Sequence, residues 1–135
     1  MKQDKHPKAH FIEPTKSELE ILQVLWELGP STVRAVNDKL NEKKHLNYTS
    51  TLKLMQIMLE KGILKRDDTQ MKHVYRPADT EQKTKGFILD RFVKNLFQGS
   101  PSGLMMQLLG NKTTSKEELE AMKKILRELE QHKTS

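Results

Sequence analysis

The chain has 135 residues and no cysteine, and 24 Lys and Arg against 18 Asp and Glu give it a formal net charge of +6. The missing thiols exclude disulfides, cysteine nucleophiles and cysteine-ligated zinc, and aromatics at 5% are too few for most all-β folds. A basic surplus favours a polyanionic partner, because each phosphate neutralised releases a condensed counterion.

Met1–Glu13 is polar and lysine-rich and reads as a flexible arm. It has no apolar run of the kind a secretory signal needs, and no stretch of the chain is apolar enough to span a membrane, so a cytoplasmic protein is expected. A first helix is announced by Thr15-Lys16-Ser17-Glu18, the spacing of a capping box. Apolar residues follow at Leu19, Leu22, Leu25 and Trp26, flanked by Ile21 and Leu28, and Gly29-Pro30 stops the run. Trp26 is expected to anchor the core.

Ser31 or Thr32 caps a second helix with Val33, Val36 and Leu40 on one face, which fades into the polar loop Asn41–His45. A third helix starts near Tyr48–Ser50 and runs to Lys61, with Gly62 as its left-handed cap. The period then changes. Ile63–Arg66 and His73–Arg76 read as two short strands joined by Asp67-Asp68-Thr69-Gln70, with Pro77 ending the hairpin.

Asp79 can cap a fourth helix bearing Phe87, Leu89, Phe92, Val93, Leu96 and Phe97, which breaks at Gly99-Ser100-Pro101. A short helix carries Leu104, Met105, Leu108 and Leu109, and Gly110–Thr114 is a loop. A second capping box, Ser115-Lys116-Glu117-Glu118, opens the last helix, with Leu119, Met122, Leu126 and Leu129 at near-heptad spacing.

Three helices followed by a hairpin is the order of a winged helix-turn-helix. The expected fold is mainly α: a winged-helix DNA-binding domain over residues 14–78, then a helical dimerisation tail over 79–135. A head of that size cannot cover all three tail helices, so their stripes are expected to close on a second copy of the chain.

A helical wheel splits the third helix into two faces. Leu52, Leu54, Met55, Met58 and Leu59 gather on one side as core, and the seven methionines read mostly as core filler. Thr49, Lys53, Gln56 and Glu60 fall opposite, with Ser50 and Ile57 beside them. Hydroxyls, amides and cations are the groups that address base edges in a major groove, and Ile57 suits a thymine methyl. The base-reading set is therefore Thr49, Ser50, Lys53 and Gln56, with Glu60 placed beyond the groove because a carboxylate repels phosphate. Any amphipathic surface helix has a polar outer face. The hydroxyl-rich first turn and flanking cations argue for DNA, Arg34, Lys43, Lys44, Lys65, Arg66 and Lys72 being natural phosphate contacts. The tail residues assigned to the dimer interface are Leu89, Phe92, Val93, Leu96, Leu119, Met122, Leu126 and Leu129.

No serine pairs with a base, no glycine-rich phosphate loop occurs, and the carboxylates are scattered, so no catalytic residue, metal or cofactor is assigned. His6 and His10, four apart, have no third ligand nearby. A competing reading is a winged-helix protein-interaction module whose basic face meets an acidic partner.

Together these pieces resemble the penicillinase-repressor family of bacterial regulators, over about Pro14–Leu129. The likeness rests on Thr15–Leu22 with Leu25-Trp26 and Gly29, Ser31–Val36, Tyr48–Thr51, Met58–Leu64, Tyr75-Arg76-Pro77, Leu96–Leu104 and Glu117-Glu118-Leu119. It implies a homodimeric repressor of resistance genes, bound to an inverted-repeat double-stranded operator with half-sites about 34–36 Å apart or a multiple. Thr49, Ser50, Lys53 and Gln56 match the family's recognition helix. The resemblance also implies release through a membrane sensor metallopeptidase that triggers cleavage in the tail. The Asn-Phe bond cut in staphylococcal members corresponds to Gln107-Leu108 here, a departure that leaves the inducing signal open. The copper-responsive branch carries a cysteine cluster that this chain lacks.

Overall fold

The computed structural model describes residues 11–69, 71–111 and 113–134. The residues Met1–His10 of the amino-terminal arm, including His6 and His10, and Gln70 of the hairpin turn lie outside the described residues. The elements run α1 (Lys16–Leu28), α2 (Val33–Leu40), α3 (Tyr48–Lys61), β1 (Leu64–Asp67), β2 (Val74–Pro77), α4 (Glu81–Leu96), α5 (Pro101–Leu109) and α6 (Lys116–Thr134). They form two compact units, one ending at Ile88 and one starting at Leu89, so the division falls inside α4.

The head is built on α1, whose capping box forms as the sequence requires. Glu18 donates its amide to Thr15 Oγ1 at 3.2 Å, and the Thr15 amide donates to Glu18 Oε1 at 2.9 Å. Of the two candidate caps for α2, Thr32 does the capping, taking the Ala35 amide at 3.2 Å. Ser31 instead adds a third, one-residue strand. Its amide donates to Tyr75 O at 3.0 Å, and its carbonyl accepts the Tyr75 amide at 2.8 Å.

Strands β1 and β2 pair antiparallel from Leu64↔Pro77 to Asp67↔Val74. Each sits one residue later than hydropathy places it, and Pro77 lies within the ladder because an end position tolerates a missing amide. Gly62 ends α3 at φ 83°, the left-handed cap expected there. Ile21, Leu22, Leu25, Val33, Val36, Met55, Met58, Leu64 and Tyr75 form the buried core. Trp26 does not anchor this core: it is half-buried at the edge, and the fully buried aromatic is Tyr75. The physical reason is the ladder, since Ser31 and β1 hold Tyr75 from both sides and turn its ring inward.

Thr80 caps α4 in place of Asp79, accepting the Lys83 amide at 3.2 Å. Asp79 makes an ion pair with Lys83 instead, at 3.5 Å. Ahead of α1, the half-buried ring of Phe11 packs at a tilt against Phe87 with centroids 4.7 Å apart.

The second unit comprises the end of α4, α5 and α6. Phe97 lies just past α4, edge-on to Phe92 at 5.9 Å. Gln98 and Gly99, at φ 51° and 82°, turn the chain into α5, which Ser100 caps and Pro101 opens. Glu118 and Ser115 form the capping box expected at the start of α6. From Leu89 onward no described residue is fully buried. The methionines divide accordingly: Met55 and Met58 fill the head core, but Met106 stands largely exposed.

Candidate nucleic-acid interface

The position of α3 is set by polar groups the sequence pattern does not expose. Asn37 on α2 is buried, and its Nδ2 donates to Thr51 Oγ1 at 2.8 Å and to Leu46 O at 3.0 Å. Asn41 closes the same turn from the other side, donating to Asn37 O and Leu46 O at 2.7 and 2.8 Å and accepting the Leu46 amide at 3.1 Å. The turn between α2 and α3 is thus tied at both ends, and Asn47 then caps α3 by accepting the Ser50 amide at 2.8 Å. These residues escape a periodicity reading because they are polar. The available signal is spacing: Thr51, Met55 and Met58 follow the 4–3 rhythm of one helix face.

At its far end α3 is tied to α1. Lys61 Nζ lies 2.7 Å from Glu18 Oε2, and the Glu18 carboxylate is only 1% exposed as a residue. Burial pushes the Glu18 carboxyl up. The hydrogen bonds from Lys61 and from the Thr15 amide, with the Lys61 charge, outweigh that and hold it below its ordinary value of 4.5.

With both ends anchored, α3 turns Thr51, Met55 and Met58 inward at 0% exposure. Thr49, Ser50, Lys53 and Gln56 lie exposed on the opposite side, with Ile57 and Glu60 also exposed. All four residues assigned to base reading therefore share one accessible face. Leu52, Leu54 and Leu59 are half-buried against the core.

The cations differ in how free they are. Arg34, Lys43, Lys65 and Lys72 are exposed. The Arg34 guanidinium sits 4.3 Å over the ring of Tyr48, which links the first turn of α2 to the first turn of α3. Lys44 is ion-paired with Glu20 at 3.1 Å. Arg66 is half-buried, with Nε 2.7 Å from Asp68 Oδ1 and Nη2 donating to Asp68 Oδ2 at 3.3 Å. Tyr75 and then Asp68 raise its pKa above the ordinary arginine value. Arg34, Tyr48, Gln56, Arg66, Lys72 and His73 all line one concavity between α2, α3 and the hairpin. Lys43 and Lys65 are not among the residues lining it. Tyr48 and His73 on this surface carry no site role in the sequence reading, and Asp68, read there as part of the hairpin turn, pairs with Arg66.

Of the eight tail residues assigned to a dimer interface, none is fully buried. Leu89, Phe92, Leu96, Leu126 and Leu129 are exposed, Leu96 at 62%, and Val93, Leu119 and Met122 are half-buried. Among the described residues no cluster of three or more His, Asp or Glu is placed to hold a metal, and no helix is long and apolar enough to cross a membrane.

The architecture is that of a winged helix-turn-helix. It is similar to the structure of a MarR family protein from Bacillus stearothermophilus, with a TM-score of 0.51 at 21% identity over 98% of this chain and 84% of that one. At that identity the likeness is one of fold. No curated protein matches the chain. The penicillinase repressor family model matches residues 14–128. That span takes in both the helix-turn-helix with its wing and most of the helical tail, and so this chain belongs to the penicillinase-repressor family, as a DNA-binding transcriptional regulator and not an enzyme.

Proposed function

We propose that the protein is a cytoplasmic, homodimeric repressor that reads an inverted-repeat operator. The head, residues 14–78, places Thr49, Ser50, Lys53 and Gln56 in the major groove. Arg34, Lys43, Lys65 and Lys72 take phosphates, with Lys44 and Arg66 joining once released from their carboxylates. The tail, residues 79–135, pairs two copies through Leu89, Phe92, Val93, Leu96, Leu119, Met122, Leu126 and Leu129. Two linked heads bind far more tightly than one, so anything that separates the tails relieves repression. Family membership makes a membrane sensor metallopeptidase the favoured source of that signal.

One observation carries this reading: the four candidate base readers share the exposed side of α3 while Thr51, Met55 and Met58 opposite them are wholly buried. Selecting a duplex from a randomised pool supplies the test sequence. Lys53→Ala and Gln56→Ala each lose about 1–3 kcal/mol on that duplex and little on random DNA. Equal losses on both remove these side chains from base reading.

A further inference from the structure

The two aspartates at the hairpin turn do different things. Asp67 builds the turn: its Oδ1 accepts the Thr69 amide at 2.9 Å and the Thr69 hydroxyl at 2.7 Å. Asp68 reaches back along the hairpin to Arg66 and meets the guanidinium at two points, 2.7 and 3.3 Å. His73 Nδ1 lies 3.7 Å from the same Asp68 oxygen. Arg66 and His73 line the concavity that also holds Arg34, Gln56 and Lys72. A carboxylate thus holds the Nη2 edge of an arginine on the surface assigned to DNA, with the buried Nε close by but not hydrogen-bonded, where a backbone phosphate oxygen would otherwise sit.

We propose that Asp68 is a specificity-determining residue, a built-in phosphate surrogate that withholds Arg66 from random DNA and yields it only when α3 is seated in its operator. The inference rests on the assignment of this face to DNA. A phosphate must displace Asp68 to reach Arg66, and must also approach a like charge. In a loosely held, non-specific complex the phosphates have no fixed place and Asp68 keeps its partner. Once base contacts fix the head's register, one phosphate is held against the wing and the exchange is completed. Arg66 therefore contributes mainly to the specific complex.

Asp68→Asn in the full-length protein tests this, because the side chain is exposed and the Asp67 turn stays intact. Affinity for a random duplex rises about three- to fivefold, the scale of an exposed ion pair, and its salt dependence steepens by about one unit. The selected duplex gains less, so the ratio between the two falls. In an Arg66→Ala background the Asp68→Asn gain largely disappears, which separates release of Arg66 from mere loss of negative charge. Elution from heparin, a polyanion without bases, moves to higher salt for Asp68→Asn alone. That readout stands even if the wild type fails to prefer the selected duplex, a result that defeats the base-reading assignment instead. Unchanged heparin elution, an equal gain on both duplexes, weaker binding by Asp68→Asn, or a full gain without Arg66 overturns the proposal.

Discussion

Asn37 donates to the hydroxyl of Thr51 at 2.8 Å, with both side chains buried between the second and third helices. The bond joins the two helices of the helix-turn-helix, and the same amide also holds Leu46 O in the turn. It fixes how far α3 is rotated, and hence which side chains face outward. A purely apolar contact here would leave that rotation softer, since a hydrogen bond has direction and dispersion does not.

Thr51→Val keeps the shape and removes the acceptor. It is expected to cost about 1–3 kcal/mol of stability, the penalty for a buried donor left short of a partner. Binding to a selected duplex weakens more than binding to random DNA, because misrotation disturbs base contacts before phosphate contacts. Urea unfolding and parallel titrations on the two duplexes check both halves. Stability loss with an unchanged binding ratio confines the bond to folding.

That bond also marks the limit of what the sequence reveals. The helices, their caps and the wing are legible because apolar periodicity, Thr15-x-x-Glu18 and Gly62 each reflect a local rule. The outward face of α3 is legible for the same reason: Thr49, Lys53 and Gln56 lie one turn apart. Buried polar residues break the rule that polar means outside. Asn37, Thr51 and Glu18 are inside because each finds a partner distant in the chain, and such pairing leaves no periodic trace. Tyr75 displaces Trp26 from the core for a comparable reason, as its inward turn depends on a strand contact with Ser31, far earlier in the chain. The tail is legible as helices, but among the described residues its apolar stripes are exposed or only half-buried.

The phosphate contacts should separate by how free each cation is. Lys65 is exposed, whereas Lys44 already holds Glu20 at 3.1 Å. Lys65→Ala is expected to flatten the slope of log affinity against log salt by about one unit on any duplex. Lys44→Ala changes it by less, because a phosphate must first replace Glu20. Filter-binding titrations between low and moderate salt decide this, and a larger effect at Lys44 contradicts it.

Glu18 makes stability depend on pH. Its folded carboxyl is held below 4.5 by Lys61 and Thr15 despite burial. A depressed folded value means the unfolded chain takes up protons first as the pH falls. The contribution is therefore complete above about 4.5 and drains away as the pH drops through the lower folded value. Glu18→Gln is expected to be less stable than wild type by about 1.5–3 kcal/mol at neutral pH, the range for a hydrogen bond to a charged group. The gap between the two proteins in urea midpoint should close in acid, where Glu18 is itself uncharged. A gap that does not narrow at all as the pH falls assigns the loss to packing and not to charge.

The tail offers the sharpest separation of folding from assembly. Leu126 and Leu129 lie exposed on α6, so a charged residue at either site disturbs no buried contact within one chain. Glutamate is also a strong helix former, and α6 should keep its helicity. If two tails pair through this face, Leu126→Glu with Leu129→Glu buries uncompensated charge at the interface and drives the dimer apart. Sedimentation should then report a single chain with unchanged helical content by circular dichroism. Affinity for a two-half-site duplex should fall by about a hundredfold or more as the second head loses its tether. Affinity for a single half-site should hardly move. A variant that still sediments as a dimer places the interface elsewhere. One that loses half-site binding as well implicates the head's fold, which the substitutions are chosen to spare.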